Sequence, residues 1–85
     1  MPEISRFLGM VIQMYYDDHS EPHIHIRYAD NRCKIDLDGN LIAGHIPLPK
    51  LHIIRRWTIL HHDELSDNWE EIREGKQPER IEPWI

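Results

Sequence analysis

Strict alternation over His23-Ile24-His25-Ile26-Arg27-Tyr28 constrains this chain more than any other feature. A period of two belongs to a β-strand with one buried face. Ile24, Ile26 and Tyr28 therefore turn towards a core, while His23, His25 and Arg27 share the opposite face. Lys34-Ile35-Asp36-Leu37-Asp38 repeats the pattern, and Asp30-Asn31 between the two runs reads as a tight turn. The expected hairpin sets Tyr28 opposite Cys33, Ile26 opposite Ile35 and Ile24 opposite Leu37. Its polar face then pairs His25 with Asp36, His23 with Asp38 and Arg27 with Lys34. A one-residue slip would send one apolar set to solvent.

The remaining segments fit around that hairpin. Residues 6–16 are apolar at both parities and rich in β-branched and aromatic side chains, which predicts one strand covered on both faces. Asp17 to Pro22 is a polar connection. Asp38-Gly39-Asn40 signals a second turn into a short strand from about Leu41 to Ile46. Ile53, Ile54, Trp57, Leu60 and Leu65 recur at helical spacing and predict a main helix over Lys50–Leu65, with Pro49 in its first turn. Ser66 reads as the cap of a short second helix with Trp69 and Ile72 inward, and Gly75 as its stop. Residues 76–85 form an irregular tail whose Ile81 and Trp84 should pack on the domain or on a partner. The sum is one α+β domain spanning 1–85: an N-terminal, largely antiparallel sheet of three to four strands against one main C-terminal helix and a short second one.

At 85 residues the chain holds one core and is expected to be marginally stable alone, so a partner or a homodimer would help it. The single cysteine, Cys33, excludes an internal disulfide framework and agrees with a reducing compartment. No apolar run approaches the roughly 20 residues that span a bilayer, and no secretory signal opens the chain, which together point to the cytoplasm. Residues 1–60 carry seven acidic and seven basic side chains, whereas 61–85 carry eight acidic and three basic, so the net charge of −5 is C-terminal. The absence of a dense Lys/Arg cluster beyond Arg55-Arg56 argues against nucleic acid, duplex above all, as the sole partner, and the acidic total argues against strong RNA affinity.

Pro2-Glu3-Ile4-Ser5-Arg6-Phe7, the Gly9 to Tyr16 segment, Asp18-His19, Pro22-His23-Ile24-His25, Trp57, Glu64-Leu65, Asn68-Trp69, Gly75 and Ile81-Glu82-Pro83 together resemble the small bacterial family called domain of unknown function 4160. The resemblance covers nearly the whole chain. It implies a small prokaryotic protein encoded beside a second one, commonly of the domain-of-unknown-function 2442 type, in a toxin–antitoxin-like gene pair. Glu21 stands where the family often has proline and Ile24 where it often has phenylalanine.

Three chemistries compete for the histidine face. No resident cofactor is expected, but His23 and His25, joined by His19 and by carboxylates such as Asp18, Asp36 or Asp38, could hold a divalent metal such as zinc, with adventitious binding favoured over a functional site. Alternatively His23 and His25 are general acid and base, Asp36 orients them, Arg27 binds a phosphate, and Tyr15 and Lys34 support it, as in a hydrolase or an endoribonuclease of toxin type. The third reading is a solvated sheet face that meets a partner. Strand one looks apolar on both sides and one helix layer covers only one of them, which favours an interaction protein. The sequence thus points first to protein-partner binding within a two-gene module, with the small neighbouring protein as partner. The enzymatic and metal-binding readings are its alternatives. Cys33 is expected in the core rather than as a nucleophile, and Trp57 and Trp69 as core anchors.

Overall fold

A computed structural model describes residues 3–16 and 21–84. It is an α+β fold. Five strands, β1 (Glu3–Phe7), β2 (Met10–Gln13), β3 (His23–Tyr28), β4 (Asn31–Asp36) and β5 (Leu41–Gly44), precede two helices, α1 (Leu48–Leu60) and α2 (His62–Arg73). The strands form one sheet in chain order, every neighbour antiparallel.

The count exceeds the expected three to four strands because the single strand expected over 6–16 is a hairpin. Leu8 and Gly9 turn it, with φ of 51° and 80°. A non-glycine residue pays for the left-handed region, and Gly9 shares the strain by occupying it without a Cβ. Phe7 then faces Met10 and Ser5 faces Ile12.

The β3–β4 register also differs from expectation. Ile24 pairs with Ile35, Ile26 with Cys33, His25 with Lys34, His23 with Asp36 and Arg27 with Arg32. The loop is Ala29-Asp30, with Ala29 at φ 53°, rather than Asp30-Asn31. This alternative slides β4 by two residues, which preserves every residue's face and so satisfies the alternation equally well. The expected His25–Asp36, His23–Asp38 and Arg27–Lys34 pairs do not form.

Met10, Ile12, Met14, Ile24, Ile26, Cys33, Ile35 and Leu37 join Ile54, Trp57, Leu65 and Trp69 in one buried cluster. The chain breaks its helix at His61 instead of running to Leu65, and Ser66 lies inside α2 rather than capping it. An unbroken helix over 48–73 would be about 39 Å long. Strands of at most six residues reach only about 20 Å. The break lets Leu65 and Trp69 reach the core that Ile54 and Trp57 have begun. Gly75, at φ 84°, ends α2: its N–H donates to the Ile72 carbonyl and the Lys76 N–H to that of Glu71.

The segment after α2 packs back on the domain. Ile81 is buried and its N–H donates to the Ile4 carbonyl at 2.8 Å, so the tail lines the β1 edge. Trp57 Nε1 donates to the Glu82 carbonyl, and the Asn68 amide both donates to and accepts from the Glu79 backbone. Among the described residues no helix is long and apolar enough to cross a membrane.

Candidate functional site

The observed register assembles a polar surface on the face that the helices leave uncovered. Residues directly opposite in an antiparallel pair share a side. One row therefore runs Arg6, Val11, Arg27, Arg32, and the next runs Gln13, His25, Lys34, Ala43. A third holds His23 and Asp36, and Tyr15 joins this face by stacking on His25, the ring centroids 4.3 Å apart and the planes 14° from parallel.

At the centre of this face the charge is positive. Arg27 is opposite Arg32, and His25 is opposite Lys34. Like charges across a strand pair repel, and among the described residues Arg27, Arg32 and Lys34 form no ion pair. Arg6, at the rim, is held by Glu3, whose carboxyl drops below its usual range through hydrogen bonds from Arg6 and Arg80, against a smaller opposing effect of burial. Asp36 is turned away from the histidines. Its carboxylate accepts from the Asp38 and Asn40 backbone N–H groups and the Asn40 amide, tying the β4–β5 turn. Burial would raise its pKa, but these bonds together bring it below the ordinary carboxylate value.

The two histidines differ in depth. His25 is partly buried, whereas His23, expected on the open face, is almost fully enclosed at 1% exposure. The reason is local: its Nδ1 lies 2.7 Å from the Glu21 carbonyl and its ring 5.3 Å from that of Trp69. Its Nε2 lies 3.2 Å from Nε2 of His25. A cleft of about 270 Å³ beside the pair is lined by Glu21, His23, Lys34 and Ile42.

The structure thus brings Tyr15, His23, His25 and Arg27 to one region and detaches Asp36 as an orienter. His19 and Asp18 lie outside the described residues. Among the described residues no trio of His, Cys, Asp or Glu could hold a metal. Sequence reasoning missed Arg32, which the alternation of β4 would have placed on the same face as Arg27 had the strand been started at Asn31, and it missed Trp69 as a wall of the histidine site. Cys33 faces the core, where burial pushes its thiol up to about 11 and makes it inert.

Fold and site together define a small α+β domain with one helix-covered and one basic sheet face. The family described as domain of unknown function (DUF4160) matches residues 9–70, and the chain belongs to that family. No curated protein and no solved structure matches it.

Proposed function

We propose that this chain is the RNA-engaging component of a two-gene, toxin–antitoxin-like module of the cytoplasm, and that a single-stranded RNA lies across the helix-free face of the sheet. The cross-strand pairing of Arg27 with Arg32 carries the reading. Two guanidinium groups opposed with no carboxylate paired to either among the described residues, and Lys34 in the adjacent row, form a surface whose repulsion a phosphate backbone relieves. Exposed Tyr15, stacked on His25, offers the aromatic platform on which unpaired bases stack. The acidic net charge does not oppose this, because the acidic excess lies in residues 61–85, in α2 and the tail. Separate acid and base roles for His23 and His25 are less well served, since their Nε2 atoms face each other rather than opposite sides of a substrate phosphate.

Fluorescence anisotropy with a labelled single-stranded RNA tests this. Arg27→Ala/Arg32→Ala should weaken binding at least tenfold and flatten the salt dependence of log K by about 1.4, the contribution of two phosphate contacts on a single strand. Wild-type binding that ignores salt, or equal affinity in the variant, would contradict the reading.

A second reading, docking of the small protein from the neighbouring gene, draws on the two sheet edges. The tail lines β1, whereas β5 is exposed along its length and carries exposed Leu41 and Ile42. Such an edge can accept a strand from a partner. Ala43→Pro should then abolish co-purification of the co-expressed neighbour; retained co-purification would remove this reading.

A further inference from the structure

The paired imidazoles hold more information than their position. The Glu21 carbonyl can only accept, so at 2.7 Å the His23 Nδ1 carries the proton and donates it. That fixes the tautomer: the ring is held by a backbone carbonyl and by the Trp69 ring 5.3 Å away, its Nε2 accepts from the Nε2–H of His25, and an ion bound between the two nitrogens would displace that proton. A backbone carbonyl orienting one nitrogen so that the other can ligate is the arrangement found around metal-bound histidines.

The second imidazole completes the geometry. His25 presents its Nε2 at 3.2 Å from that of His23, the ring planes 65° apart, and Tyr15 stacks on its face. With metal–nitrogen bonds of about 2.05 Å, two nitrogens at this separation subtend an angle of about 100° at a shared ion, near the tetrahedral value. We infer that His23 Nε2 and His25 Nε2 form the two-nitrogen half of a binding site for a divalent transition metal, with zinc as its best fit. A cleft lined by Glu21, His23, Lys34 and Ile42 adjoins the pair, and the remaining coordination positions fall to water. Positions left to water would keep the ion open to an incoming ligand. The inference stands on imidazole geometry and is independent of the RNA reading.

The test uses untagged full-length protein, without RNA, titrated with zinc in competition with a chromophoric chelator and with cobalt as a visible-absorption probe. Because His23 is buried, the diagnostic substitution is His25→Ala, with folding checked by circular dichroism. His62→Ala serves as the control, since His62 lies 3.6 Å from Asp38 and could attract metal by itself. One equivalent of zinc should bind the wild type and the control alike, with nitrogen-ligated tetrahedral cobalt bands. Binding should weaken at least tenfold in His25→Ala. Equal binding by a folded His25→Ala, loss in the control, or no binding by the wild type would each overturn the inference and leave a histidine pair joined by one hydrogen bond.

Discussion

The two faces of the sheet alternate residue by residue along the same strands, yet they are built to opposite rules. Towards the helices, Met10, Ile12, Ile24, Ile26 and Ile35 are sealed at 0–1% exposure against Ile54, Trp57 and Leu65. Away from them, Arg27 opposes Arg32 and His25 opposes Lys34, and among the described residues no carboxylate pairs with Arg27, Arg32 or Lys34. The first face follows from the hydrophobic effect, which is indifferent to partner identity so long as volume is filled. The second contradicts the pairing rule that a sheet selected only for stability would follow. Departure from a local stability rule, on a face that the core does not need, is where function is expected to lie.

Substitutions should separate the two faces by size of effect. Trp57 is fully buried, packs against Phe7 at 5.4 Å between ring centroids and donates to the Glu82 carbonyl. Trp57→Ala should cost about 3–5 kcal/mol in urea unfolding, enough to unfold much of a domain this small. A loss below about 1 kcal/mol would show that α1 does not anchor the covered face.

Asn68 is next. Its buried amide ties α2 to the Glu79 backbone in both directions, and Asn68→Ala leaves a donor and an acceptor without partners at a cost of about 1–3 kcal/mol. The same substitution should speed proteolysis within the segment after Gly75.

Asp36 belongs to the open face but serves the fold. Its pKa is lowered in the folded state, so its stabilisation is present above the unfolded value of about 3.9 and is lost as pH falls through the lower folded value. Asp36→Ala should therefore lose on the order of 1 kcal/mol at pH 7 and approach the wild type at the acid end of a pH-dependent unfolding series. A constant difference across that range would mean that the carboxylate charge is not what ties the turn.

The smallest effect sharpens the contrast most. Arg27→Ala should change stability by no more than about 0.5 kcal/mol, or raise it slightly by removing a like-charge pair. A large loss would assign Arg27 to the fold rather than to a binding surface.

Most of the covered face was legible in the sequence, because alternation and helical spacing report burial directly. Ile24, Ile26, Cys33, Ile35, Trp57 and Trp69 all face the core as the pattern requires. The open face was legible only in outline. Alternation fixes which side a residue takes but not which of two registers two residues apart is adopted, and the Ala29-Asp30 loop exchanged a His–Asp ladder for a cationic one. Leu8 at positive φ gave no composition signal beyond Gly9, so the first hairpin read as one strand. The enclosure of His23 depends on Trp69, distant in sequence, and no local pattern carries it.

Side-chain NMR during titration with single-stranded RNA tests most directly whether the basic face is the working one. The account predicts that the ring resonances of Tyr15 and His25 and the guanidinium resonances of Arg27 and Arg32 shift together and saturate. His52, exposed on α1, and the Trp57 indole should stay unchanged. Shifts centred on α1, or none at the Arg27 and Arg32 side chains, would contradict it.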